Sequence, residues 1–149
     1  MQRYNLIPQE KKRYCVCSVL QAIFDFHGIK VSQDEIALKL NSGKRGGLYI
    51  HDEKMRSLML GMGFNYSFFK YNKTPFNEPD MLLRDMAEEH GIIGIENHLY
   101  LLEEFKDPVL TLIDPEGDAE IKRDLYDVIS EMERSTGIFG LVKKLDTQI

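Results

Sequence analysis

Two cysteines and four histidines are the residues of this chain best suited to covalent chemistry, and Cys15 is the best placed among them. It opens a run in which Val16, Val19, Leu20, Ile23 and Phe24 recur at the spacing of one buried helical stripe. Gly28 follows the last periodic residue and reads as the helix stop. A helix N-terminus carries unpaired N–H groups and partial positive charge, which favour thiolate over thiol. Lys11, Lys12 and Arg13 add positive charge nearby, so the Cys15 pKa is expected below the free value of about 8.5. The thiolate is the nucleophilic form. Ser18 and Ala22 share the face of Cys15 and would let another element approach the sulfur, and the side-chain amide of Gln9 stands six residues upstream. The competing reading makes Cys15 one more small core residue, as most cysteines are.

A second cluster of candidates lies far along the chain. The segment from His98 to Asp114 reads as a hairpin with its turn around residues 105–108, centred near Lys106. That centre sets Tyr100 opposite Leu112, Leu102 opposite Leu110, and His98 opposite Asp114. Directly opposed residues hold their Cβ atoms about 4.5–5.5 Å apart, within reach of a carboxylate–imidazole hydrogen bond. A slip of one residue would send Asp114 to the other face. A carboxylate beside an imidazole fixes its tautomer and stabilises the imidazolium, as in a nucleophile–base–orienter triad. Two plainer readings stand beside this one. Asp114 begins Asp-Pro-Glu-Gly, a strong turn signal, and His98 could be an edge-strand histidine bonded to backbone. His27 and His90 each precede a glycine that reads as a helix stop, where a histidine suits the helix dipole. His51 has no obvious partner. No Cys or His pair has zinc-site spacing, so neither metal nor cofactor is expected.

The elements that must position these residues follow from the pattern. At 149 residues the chain suits a single domain spanning 1–149, large enough for a core without disulfide or metal. A net charge of −5 argues against nucleic acid and anionic membranes as partners. Cys15 and Cys17 are too close along a helix to bridge, and free thiols suit a reducing compartment. The N-terminal residues lack the apolar run of a signal peptide, and no stretch is long enough to span a bilayer, so no membrane insertion and a cytoplasmic location are expected. Ser32 and Glu35 form a capping box for a second helix ending near Gly43. The glycine-rich residues 43–47 lack phosphate-loop spacing. Residues 52–62 read as a third helix, 64–71 as a strand broken by 72–75, and Pro79 opens a fourth helix closed by Gly91. Residues 92–95, 98–103, 109–113 and 138–142 read as strands, with one helix carrying Leu125, Val128, Ile129 and Met132 between the last two. Helices first and strands later predict an α+β class with a largely antiparallel sheet.

Taken together, Gln9, Cys15, His98 and Asp114 make the chain resemble the papain-like cysteine peptidases that process double-glycine bacteriocin leaders, and their stand-alone relatives. That family carries a Gln six residues before its Cys and a glycine-ended helix thirteen residues after it, matched here by Gln9 and Gly28. Its later motif is a His opening a strand with Asp-Pro sixteen residues on, matched by His98 and Asp114-Pro115. Residues 137–144 look like the family's last strand, so the resemblance covers nearly the whole chain. It implies a papain-like fold, an N-terminal helical half carrying the Cys and a C-terminal antiparallel sheet carrying His and Asp. It implies a thiol protease acting on a peptide or protein through a thioester acyl-enzyme. Cys15 would be the nucleophile, His98 the general base and acid, Asp114 the orienter, and Gln9 an oxyanion-hole donor. Cys17 would be a structural helix residue. Two departures stand out: Tyr14 replaces the usual Asp, and Val16 replaces the usual Gly, where its side chain is expected to crowd the substrate backbone. The same triad would serve an acyl or peptidyl transferase, and a non-catalytic peptide-binding relative is a third reading. Substrate sequence and oligomeric state are not specified by any motif.

Overall fold

The computed structural model describes residues 3–40, 53–70, 79–96, 98–117, 119–135 and 137–145. The element order is α1 (Cys15–Phe26), α2 (Gln33–Lys39), α3 (Glu53–Gly61), β1 (Phe64–Lys70), α4 (Pro79–Glu88), β2 (His90–Ile95), β3 (His98–Lys106), β4 (Val109–Ile113), β5 (Glu120–Asp124), α5 (Leu125–Arg134) and β6 (Ile138–Lys144). The strands form one six-stranded sheet in the order β1-β6-β2-β3-β4-β5, and every neighbouring pair is antiparallel. The expected loop at residues 43–47, His51 and the strand break at 72–75 lie outside the described residues. Among the described residues no helix is long and apolar enough to cross a membrane.

Strand side chains alternate between faces, so successive residues feed different cores. Ile92, Leu101 and Val142 join α1, α2 and α3 on one face. Ile93, Leu102 and Leu141 join α4 and α5 on the other. Because helices cover both faces, β2 and the middle of β3 read as unbroken apolar runs. The α1 stripe of Val16, Val19, Leu20, Ile23 and Phe24 is fully buried. Each such side chain is worth on the order of 1.5–3 kcal/mol of transfer free energy. This burial anchors the helix that starts at Cys15. Gly28, at φ +78°, ends it, and the Ser32 capping box starts α2 with both of its arms formed.

Three expectations need correction. Gly91 does not close a helix: α4 stops at Glu88, and His90 and Gly91 already belong to β2. Gly91 is there for close packing, since a Cβ would lie 2.7 Å from the Met86 Cβ. The strand β5 is not among the strands expected from the pattern, because Glu-Ile-Lys-Arg-Asp, on a sheet edge, has a single apolar residue. The hairpin register also differs. Lys106 pairs with Val109 around Asp107 and Pro108, a bulge interrupts the ladder between Leu102 and Glu104, and Leu102 faces Leu112 rather than Leu110. The displacement is three residues on the turn side of the bulge and two from Leu102 onward, where an even shift keeps each side chain on its own face.

Candidate active site

His98 opens β3, and Asp114 follows the last residue of β4. Extending the observed register carries Asp114 opposite Tyr100, so His98 reaches the carboxylate along a diagonal rather than straight across. His98 Nε2 lies 2.7 Å from Asp114 Oδ1. Since the carboxylate can only accept, Nε2 carries the proton, and in the neutral ring Nδ1 keeps its lone pair. The same Oδ1 accepts the backbone N–H of Glu116 at 2.9 Å, and the Asp114 N–H donates to the Ala119 carbonyl at 3.1 Å. Asp114 therefore starts a turn and holds the imidazole at once; the two sequence readings are not exclusive. Both side chains are about one-fifth exposed, and the Tyr100 ring meets the His98 ring edge-on at a centroid distance of 4.6 Å.

Cys15 is half-buried at the first position of α1, and its thiol lies near the Leu99 backbone of β3. The backbone N–H groups of Leu99, Val16 and Cys15 itself lie close enough to the thiol to favour its charged form. Leu99 is the residue after His98, so the start of the front helix lies near the start of β3. Burial pushes the Cys15 thiol up, and the three N–H groups offset this only in part. The Glu116 carboxylate pushes it further up. The expected depression of this pKa is thus overturned: removal from water outweighs the helix terminus. The basic run gives little help, because Lys11 extends to Asp34 at 3.1 Å on the surface. Cys17 is fully buried in the first core, with its thiol pushed up to about 12, chiefly by burial.

Gln9 sits on the other side of this junction. Its backbone N–H donates to the Pro115 carbonyl at 2.7 Å, which ties the N-terminal segment to the turn holding Asp114. Its side-chain Nε2 donates to the Lys11 carbonyl at 3.3 Å, and its Oε1 is buried without a partner among the described residues. Val16 does not crowd a cleft, because its side chain is fully buried in the first core. Tyr14 donates its hydroxyl to Asp34 of α2 at 2.9 Å on the surface.

Glu116, which no sequence motif singles out, belongs to this cluster. Its Oε1 lies 3.8 Å from His98 Nδ1 and its side chain is about two-thirds exposed. His98, Asp114 and Glu116 present ligand atoms within 4.8 Å of one another, which could hold a cation. With Nε2 bonded to Asp114, the nitrogen left for a cation is Nδ1.

The other described histidines form a separate group. Tyr4 Oη lies 2.5 Å from His90 Nδ1, and His90 Nε2 lies 2.7 Å from His27 Nε2. With Tyr4 donating to Nδ1, His90 carries its proton on Nε2 and donates to His27. His90 is not at a helix end as expected; it lies in β2, and burial pushes it down to about 3. His27 does cap α1, but burial, with Lys144 and Arg3 behind it, lowers its pKa instead of the helix dipole raising it.

No family model and no curated protein matches the chain. Solved structures do. A double-glycine-motif protease from an AMS/PCAT transporter, in complex with the leader peptide, superposes with a TM-score of 0.68 at 18% identity, covering 95% of this chain and 91% of that one. The peptidase domain of Streptococcus ComA, a bifunctional ABC transporter involved in a quorum-sensing pathway, gives 0.67 at 16% identity over 95% and 98%. A protein described as a C39-like peptidase from Bacillus anthracis gives 0.65 at 14% over 94% and 95%. At these identities the likeness speaks for architecture, and the architecture is that of the C39 papain-like peptidase domains, with Cys15 in the first helix.

Proposed function

We propose that the chain is a cysteine peptidase that cleaves a peptide through Cys15, His98, Asp114 and Gln9. The observation that carries this reading is the His98 imidazole held through Nε2 by Asp114 at 2.7 Å, with the Leu99 N–H, one residue on, close enough to the Cys15 thiol to favour its charged form. The fold shared with peptidase domains supports it, and a leader peptide bound to one of them supports a peptide as substrate.

In this mechanism the Cys15 thiol gives its proton to His98 Nδ1 and the sulfur attacks the substrate carbonyl carbon. Burial opposes a lone thiolate, so the anion forms together with the imidazolium, whose charge Asp114 balances. The oxyanion of the tetrahedral intermediate accepts from the Cys15 backbone N–H and from the Gln9 side-chain amide. One Nε2 hydrogen of Gln9 goes to Lys11, which leaves the second for this role. Collapse expels the amine, which takes the proton from His98. Water, deprotonated by His98, then hydrolyses the thioester and frees Cys15.

The test is stoichiometric labelling with iodoacetamide at neutral pH alongside cleavage of leader-type peptides. Cys15→Ala should lose both the label and the cleavage, while Cys17→Ala keeps both. Label on Cys17 with Cys15 inert would overturn the assignment.

A further inference from the structure

Gln9 can serve as an oxyanion donor only if its backbone is fixed, and its bond to Pro115 is one of several that fix it. We infer that Gln33, the first residue of α2, is the positioning residue for Gln9; this rests on the oxyanion role proposed above. The Gln33 side chain is fully buried. Its Oε1 accepts the Glu10 N–H at 2.9 Å. Its Nε2 donates to the Pro8 carbonyl at 3.1 Å, the Ile7 carbonyl at 3.2 Å and Gln21 Oε1 at 3.0 Å, three acceptors shared between two hydrogens. Backbone groups on both sides of Gln9 therefore end on one amide.

Neighbouring bonds make that amide a fixed point. Gln21, on α1, donates onward to the Val31 carbonyl at 3.0 Å, so the residue that orients Gln33 is itself held. Ser18, also on α1 and fully buried, donates its hydroxyl to the Ile7 carbonyl at 2.6 Å. Gln9 itself donates its N–H to Pro115. The segment from Ile7 to Glu10 is thus suspended between α1, α2 and the turn that carries Asp114. A buried primary amide is costly unless all of its polar groups are paired, and here the partners are the backbone around Gln9 and Gln21. A misplacement of about 1 Å in such a donor can lower turnover by about 100-fold.

The experiment compares the full chain with Gln33→Met, which keeps the volume and makes no bonds, and Gln33→Asn, which keeps the amide and withdraws it by one methylene. Gln9→Ala and the Gln9→Ala/Gln33→Met pair complete the set. Three quantities are read: backbone amide hydrogen exchange at Gln9 and Glu10, affinity for the peptide aldehyde N-acetyl-Gly-glycinal, and the rate of Cys15 alkylation by iodoacetamide. Aldehyde capture builds a tetrahedral oxyanion; alkylation does not. Both Gln33 variants should speed exchange at Gln9 and Glu10 and weaken aldehyde binding about 10- to 100-fold, with alkylation within about twofold of the parent. The double variant should bind no more weakly than Gln9→Ala. Unchanged exchange in a folded Gln33 variant, or losses that multiply in the double variant, would overturn the positioning role. If Gln33→Met does not fold, Gln33→Asn decides between the same two outcomes, alone and paired with Gln9→Ala. Aldehyde binding untouched by Gln9→Ala would instead sink the oxyanion role on which the inference rests.

Discussion

Two strands of the same sheet open with a histidine, and the pair shows how surroundings decide what an imidazole can do. His98, at the start of β3, is part-exposed and faces two carboxylates, Asp114 at 2.7 Å and Glu116 at 3.8 Å. His90, at the start of β2, is buried against Tyr4, Phe26 and a second imidazole, with the Arg3 guanidinium close enough to depress its pKa further. One environment can balance the charge of a proton taken up during a reaction. The other is built from neutral and positive groups and keeps its ring neutral. The first suits chemistry, and the second suits packing.

Exchanging the roles of the two histidines is the sharpest way to break this contrast. His98→Ala should lower kcat/KM for peptide cleavage by about 1,000-fold or more while leaving the unfolding midpoint nearly in place. His90→Leu should do the reverse, leaving cleavage within about threefold and lowering stability by about 1–3 kcal/mol through the orphaned Tyr4 and His27 groups. Comparable catalytic losses in both variants would dissolve the distinction. Asp114→Asn comes next, with an expected loss of about 100-fold or more in kcat, because a neutral amide no longer fixes the imidazole with Nε2 protonated.

The pH dependence of unfolding sharpens the comparison further. His90 titrates near 3 in the folded chain against about 6.5 unfolded, so the unfolded state binds more protons between those values. The stability it contributes is complete above about pH 6.5 and drains away as the pH falls toward 3. His27, lowered by burial in the same sense, adds to the slope. Urea titrations across this range should show a shallower slope in His90→Leu than in the parent; identical slopes would mean that His90 does not carry the effect. The smallest effect is expected at the site's rim. Glu116 disfavours the Cys15 thiolate, so Glu116→Gln should raise the neutral-pH iodoacetamide rate by about two- to threefold. The gain should shrink in high salt, because the Glu116 side chain is exposed and its field is screened.

How legible these features are in the sequence depends on their physical origin. The α1 stripe, the capping box and the apolar strands follow from periodicity and local hydrogen bonding, and the structure has them where the pattern predicts. The edge strand β5 has no such pattern, since its side chains face water along most of their length. The hairpin bulge near Glu103 is equally silent: no glycine marks it between Leu102 and Glu104. At the site, Gln9, Cys15, His98 and Asp114 carry distinctive types at distinctive spacings. Glu116 looks like an ordinary acidic turn residue, and Gln33 looks like a polar residue inside a capping box. Their significance lies in contacts 18 and 23 residues away, as His98 to Glu116 and Glu10 to Gln33, that no local pattern encodes.

The nearness of the Leu99 N–H to the Cys15 sulfur also bears on how inactive forms of the chain should be made. The β3–β4 ladder extends no further toward this end than Leu101 and Ile113. Two residues on, the Leu99 N–H lies near the Cys15 sulfur and favours its charged form. An alanine at position 15 would remove the polar atom beside this N–H as well as the nucleophile. A serine would retain a polar atom there. For trapping an uncleaved peptide in a native-like cleft, the hydroxyl variant is therefore the more faithful blank.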